Sequence, residues 1–170
     1  SKMPLFLFTS LTLLAAGAWV AMFWMREPVT AFGGALAMDY FSSFFNVLLC
    51  GSAFLVLLGS YPYLEESGIH YSEFYPLLLS STLGMMLLAA SAELITLFIA
   101  LELMSLMIYV LVGMRRMNAK SNEASVKYFV MGGVSAAIYL YGTALVYGAL
   151  GTTKLAQIST ILSENGTNVL

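Results

Sequence analysis

Apolar residues run through this chain in blocks too long for the core of a soluble domain, and five of them approach the length of a membrane crossing. A hydrocarbon layer about 30 Å thick needs roughly 20 apolar residues at a helical rise of about 1.5 Å. The blocks fall near residues 4–24, 41–60, 74–92, 94–114 and 124–148, which predicts an all-α membrane protein of five transmembrane helices. Local punctuation supports the divisions. Pro4 stands near a helix start, Arg26, Glu27 and Pro28 follow the first block, and Tyr61 and Pro62 follow the second. Gly148 and Gly151 follow the last.

The third and fourth blocks are joined only by "ASAEL", so they form a tight antiparallel hairpin, with Ser91 as a cap and Glu93 in a first turn. "VTAFGGALAMDY", between the first two blocks, is too short and too Gly-broken to cross, and predicts a loop or a short interfacial helix. Near residues 153–163, Leu155, Ile158 and Leu162 share one face between polar residues, which predicts a helix lying flat in the interface. The whole chain reads as a single transmembrane helical region.

Composition sharpens this reading. Of 170 residues 60% are hydrophobic and 9% charged, with a mean hydropathy of +0.87. A soluble core and its polar shell do not reach that balance, and a soluble enzyme is excluded. The net charge of −2 offers no basic field for nucleic acid. Cys50 is the one cysteine and His70 the one histidine, so the chain cannot build an internal disulfide, a zinc site or a paired-histidine haem site. No metal and no cofactor is expected in it. The sequon in "NGTNVL" is a common chance triplet.

Cations set the expected orientation. Counting sides by alternation, Lys2, Arg115, Arg116, Lys120 and Lys127 fall on the N-terminal side, against Arg26 and Lys154 on the other. The positive-inside rule then places the N-terminal side in the cytoplasm or its equivalent. Glu65, Glu66 and Glu73 lie on that same side and would face a partner subunit.

One charge breaks the pattern. Glu102 stands in the middle of "LFIALELMSLMIYVLVG", close to the bilayer centre. An ionised carboxylate facing lipid there costs at least about 2.5–3.5 kcal/mol, so it must face protein or water. A carboxyl that can be driven between its two protonation states is a proton-handling group. Ser105 and Tyr109 follow at i+3 and i+7 on the same face, where both hydroxyls can hydrogen-bond to it or to water. The plainer alternative is a structural carboxyl bonded to a neighbouring helix. Glu93 lies on the opposite face at the membrane edge, as a solvated helix-start carboxylate.

Lys127 sits shallow in the fifth block, as a snorkelling topology anchor or a proton-relay residue. Glu123 is placed to pair with it at i, i+4. A direct pair with Glu102 is not expected, because the two depths differ by about 11 Å for level antiparallel helices. Gly132, Gly133, Ser135, Ala136 and Ala137 form a small-residue patch suited to close helix packing.

Read together, "EFYPLLLSSTLGMMLLAASAELITLFIALELMSLMIYVLVGMRR", "SNEASVKYFVMGG" and "LYGTALVYGALGTT" resemble the antiporter-like subunit N family of the respiratory NADH:quinone oxidoreductase, complex I. The resemblance implies a proton-translocating membrane subunit that couples quinone reduction to proton transfer. In it Glu102 of "LELMSL" takes part in charge transfer along a hydrated mid-membrane axis, and Lys127 of "EASVKY" supports it. It implies a hetero-oligomer with other membrane-arm subunits in a bacterial inner membrane, with flavin, iron–sulfur clusters and quinone held by those partners. Family members are longer. The chain resembles an N-terminal fragment that lacks their first helix and stops before the broken helix whose lysine partners the carboxylate. Met107 stands where many members have proline, and Leu101 where they have a small residue. Cation/proton antiporter and membrane-hydrogenase subunits share this architecture, and a non-transporting scaffold is the reading from another class.

Overall fold

The computed structural model describes residues 3–23, 27–66 and 72–166. Trp24, Arg26, Lys2 and His70, which entered the span, topology and metal arguments above, lie outside the described residues. The described residues form six α-helices, α1 (Met3–Phe23), α2 (Tyr40–Glu66), α3 (Phe74–Ala90), α4 (Leu94–Val112), α5 (Ala119–Leu150) and α6 (Leu155–Gly166), with a short β-ribbon between the first two. Four of these, α1, α2, α4 and α5, are long and apolar enough to cross a membrane. At 17 residues α3 is shorter, about 25 Å at the helical rise. It packs between α2 and α4, with a smaller contact to α1, and so crosses alongside them. The five-helix membrane architecture expected from the apolar blocks is what the chain folds into.

From α1 to α5 consecutive helices are neighbours, as short connections in an antiparallel bundle require. A core of Leu13, Ala53, Leu57, Tyr75 and Leu78 joins α1, α2 and α3. Two glycines let backbones approach. A side chain at Gly84 would come within 2.6 Å of the backbone nitrogen of Met104, so α3 and α4 lie nearly in backbone contact there. At Gly17 a methyl would stand 3.3 Å from Cys50 Cβ, between α1 and α2.

Several boundaries differ from expectation. Pro62 does not end the second helix: α2 runs through it to Glu66. Proline removes one backbone N–H bond, and this close to the helix end water at the membrane surface can satisfy the freed carbonyl. The last long helix begins earlier than expected, at Ala119, because the Asn118 side chain accepts bonds from the backbone of Lys120 at 2.9 Å and of Ser121 at 3.3 Å. It ends at Gly151, whose left-handed backbone (φ 69°) closes the C-terminus.

The "VTAFGGALAMDY" segment is neither loop nor interfacial helix but a small antiparallel ribbon of β1 (Val29–Ala31) and β2 (Leu36–Met38). A tight 3-10 turn over Phe32–Gly34 connects them, with positive φ at Phe32, Gly33 and Gly34. The ribbon is anchored to the α3–α4 connection. Leu36 bridges to Ser91, and Ala92 donates its N–H to Ala35 O at 2.9 Å. On the other side of that connection lies the segment before α6, where Leu94 N bonds Thr153 O at 3.0 Å and Leu155 N bonds Ala92 O at 3.1 Å. Three chain segments thus close one end of the bundle. Ser91 is accordingly the C-cap of α3, its hydroxyl donating to Leu87 O at 2.7 Å, rather than a cap for α4. Glu93 precedes the first turn of α4 in extended backbone, and its carboxylate accepts a 2.5 Å bond from the Thr153 hydroxyl.

Candidate functional site

α4 carries the mid-membrane carboxylate. Glu102 lies eight residues after Leu94 and ten before Val112, which puts it about 12 Å and about 15 Å from the two ends. The helix is unbroken there, with Met107 at the position where proline would have bent it.

The surroundings of Glu102 divide in two. On one side Leu94, Phe98, Ser105 and Tyr109 face α5. Phe98 stacks on Tyr139 with ring centroids 5.7 Å apart, and the Tyr139 hydroxyl donates to Leu94 O at 3.0 Å. Tyr109 meets Tyr128 edge to face at 4.8 Å and Phe129 at 5.9 Å. Its hydroxyl occupies the space left by Gly132, and the Ser125 hydroxyl bonds Tyr109 O at 2.8 Å. On the other side Ile95, Ile99, Leu106 and Val110 are exposed, at 48%, 60%, 41% and 53%. Glu102 is half-buried on the border between the seam and this open face.

These contacts fix the register of the α4–α5 pair. Phe98 is level with Tyr139 and Tyr109 with Phe129, so Glu102 is level with the region of Ser135 and Ala136. The small residues expected to pack closely do so selectively. Gly132 and Ala136 lie on the seam, whereas Gly133, Ser135 and Ala137 turn outward.

Of the residues singled out in sequence, Ser105 and Tyr109 share the α5-facing side with the carboxylate and are both buried, at 9% and 7% exposure. Among the described residues no hydrogen bond joins either hydroxyl to Glu102. Tyr109 is a wedge between helices here, and the side chains that reach from α5 to the α4 backbone are Ser121, Ser125 and Tyr139, of which the apolar pattern alone singled out none. The signal of Tyr139 was its spacing: it continues the stripe of Ser125, Gly132 and Ala136 along α5.

Lys127 is not brought to Glu102. It lies about 12 Å inside α5, deeper than expected because the helix starts earlier. Two residues beyond Ser125, it points roughly 200° around the helix from the α4 seam. It pairs with Glu123 as the i, i+4 spacing predicts, with both side chains mainly exposed, at 72% and 62%. Among the described residues nothing donates to the Glu102 carboxylate, and the ion pairs are Glu123–Lys127 and Glu73–Arg116. On its other side the carboxylate adjoins the open apolar face of α4.

Comparison with known proteins bears on this arrangement. Residues 91–170, which contain all of α4 and α5, match the family model described as NADH:quinone oxidoreductase/Mrp antiporter, transmembrane. NADH-quinone oxidoreductase subunit N of Trichlorobacter lovleyi is 39% identical over 157 residues, covering 92% of this chain and 32% of the relative. Subunit N 2 of Solibacter usitatus is 42% identical over 158 residues, with the same coverage of 92% and 32%. A chain of respiratory complex I from Thermus thermophilus, solved with bound aureothin, superposes with a TM-score of 0.76 at 35% identity, covering 91% of this chain and 33% of that one. A chain of the membrane-bound sulfane sulfur reductase, an archaeal respiratory membrane complex, has the same fold, with a TM-score of 0.75 at 24% identity. The chain spans about one third of the length of the curated relatives it matches.

Proposed function

We propose that this chain belongs to the antiporter-like membrane-subunit family of NADH:quinone oxidoreductases and Mrp antiporters, and that it forms part of a proton-translocating subunit of an NADH:quinone oxidoreductase. Glu102 is its proton-transfer group. The observation that carries this reading is a carboxylate half-way along a membrane helix with no donor from the described residues, on the border between an aromatic and hydroxyl-bearing seam and an open apolar face. Facing lipid, that carboxylate would cost about 2.5–3.5 kcal/mol or more, so polypeptide outside these residues, with water, meets it in the membrane. A scaffold would favour a carboxyl already paired within its own helix bundle. Among the described residues Glu102 has no such pair, which supports transport over scaffolding.

The mechanism follows from electrostatics. Quinone reduction in partner subunits, which hold the flavin, the iron–sulfur clusters and the quinone, changes the field along the membrane arm. That change biases the protonation of Glu102, and of a lysine elsewhere in the subunit, in opposite senses. Glu102 takes a proton from the side that carries Arg115, Arg116 and Lys120, and releases it toward the side of the β-ribbon. Cation placement supports taking the first of these as the cytoplasmic face of a bacterial inner membrane. Ser105 and Tyr109 line the approach, and Lys127, facing away from α4, supports it through residues packed on its own side. Among the described residues no group of His, Cys, Asp or Glu side chains is gathered to hold a metal ion.

The test replaces Glu102 with Gln in the full-length subunit and measures proton uptake by the reconstituted complex during quinone reduction. Gln keeps the volume and hydrogen-bonding capacity but cannot exchange the proton. The expected result is loss of most of the pumping at normal assembly. Unaltered pumping at normal assembly would remove Glu102 from the path.

A further inference from the structure

At the end of the bundle opposite the β-ribbon, α2, α3, α4 and the start of α5 line a half-open cavity of about 300 Å³. Its walls are apolar, among them Val56, Leu64, Leu78 and Leu111, and its mouth carries Tyr63 and Arg115. The guanidinium of Arg115 stands 5.6 Å from the centre of the Tyr63 ring, a cation–π arrangement that leaves the N–H edges free. The loop bearing Arg115 is tightly held. Arg116 N bonds Met114 O at 2.9 Å, Asn118 N bonds Arg115 O at 2.8 Å, and the Asn122 side chain bonds Arg116 O at 2.9 Å.

The polar groups at the mouth are not equivalent. Ser60 and Ser121 each donate their hydroxyl proton to backbone, to Val56 O and Val112 O, both at 2.6 Å. Arg116 lies 3.9 Å from Glu73 and is partly offset by it. Arg115 has no carboxylate partner among the described residues, so the donors left over at the mouth are its guanidinium and the Tyr63 hydroxyl. Lys120 lies on the next turn of the same end and adds to the positive field.

An apolar slot at the membrane surface, whose lip carries a guanidinium with no carboxylate partner among the described residues, suits an amphiphile with an anionic head. We infer that this cavity is a binding site for one anionic glycerophospholipid of the adjoining leaflet. An acyl chain fills the space between Val56, Leu64 and Leu111, and the phosphodiester is held by Arg115 and Tyr63. Guanidinium geometry suits two phosphate oxygens at once, and basic pockets between membrane helices select anionic head groups in this way. The inference uses only the membrane placement of the bundle and is independent of the role of Glu102.

The experiment adds phosphatidylglycerol with a photoactivatable acyl chain to the purified membrane complex carrying the full-length subunit, and maps the cross-linked residues by mass spectrometry. A phosphatidylcholine analogue with the same acyl chain serves as the neutral comparison. The expected result is cross-linking at Val56, Leu64 and Leu111 by the phosphatidylglycerol probe, unaffected by excess inorganic phosphate. It falls about fivefold in Arg115→Gln, the factor one interfacial cation contributes, and to the level of the neutral probe. Ser60→Phe, which fills the slot and leaves Arg115 in place, abolishes labelling at all three positions. Equal labelling by both probes, full labelling in Arg115→Gln at normal assembly, competition by phosphate alone, or no labelling at these positions in the unmodified complex would each overturn the inference.

Discussion

The hydroxyl of Tyr109 fills the notch left by Gly132, where the β-carbon of any other residue would lie within 2.6 Å of the ring carbon bearing that hydroxyl. This contact, two turns from Glu102, fixes how closely α5 approaches the helix that carries the carboxylate. Tyr109 is therefore held by shape rather than by a bond to Glu102.

Gly132→Ala should destabilise the subunit by about 1–3 kcal/mol, the usual cost of overpacking a tight helix contact. Combining it with Tyr109→Phe should recover part of that loss, because the clash is centred on the hydroxyl end of the ring. A double-mutant cycle on unfolding in detergent reads the coupling directly. Strictly additive losses would mean that the two residues do not meet.

Removing the hydroxyl that bonds Glu93 acts at the opposite end of the same helix. Thr153→Val keeps the side-chain shape but deletes the 2.5 Å bond to the Glu93 carboxylate, which should lower stability by about 1.5–3 kcal/mol. The β-ribbon and the start of α6 should gain hydrogen exchange first, since both are pinned to the residues around Glu93. Exchange that rises instead around Tyr63 and Arg115 would contradict this arrangement.

The exposed Glu123–Lys127 pair should matter little to folding. Glu123→Gln is expected to change stability by no more than about 0.5 kcal/mol, in line with solvent-facing i, i+4 pairs. If Lys127 supports proton movement, Lys127→Gln lowers pumping while Glu123→Gln lowers it less, because the charge rather than the pair is then the functional element. Equal pumping in both variants and the unmodified complex would leave Lys127 as an interfacial anchor.

Much of this architecture was legible in the residues because length and apolarity alone specify a membrane helix, and the lone mid-span charge marked Glu102. What escaped detection depends on backbone pairing or on local end effects. "VTAFGGALAMDY" reads as a broken apolar run, yet its ribbon is stabilised by main-chain bonds to Ser91 and Ala92, which leave no side-chain signature. Pro62 looked like a stop but lies where a lost backbone bond costs little. The last apolar block begins only near residue 124, although Asn118 caps the helix that carries it and starts it at Ala119. Whether Ser105 and Tyr109 bond the carboxylate depended on a side-chain direction that helical spacing does not decide, and the ring of Tyr109 turned toward Gly132.

The account rests on Glu102 exchanging a proton during turnover, and infrared difference spectroscopy of the reconstituted complex, with and without quinone reduction, observes that exchange at the carboxyl itself. A carbonyl-stretch change on turnover that is sensitive to deuterium and missing in Glu102→Gln is the predicted result. A spectrum identical in the unmodified and Glu102→Gln complexes, both assembled and turning over, would contradict it.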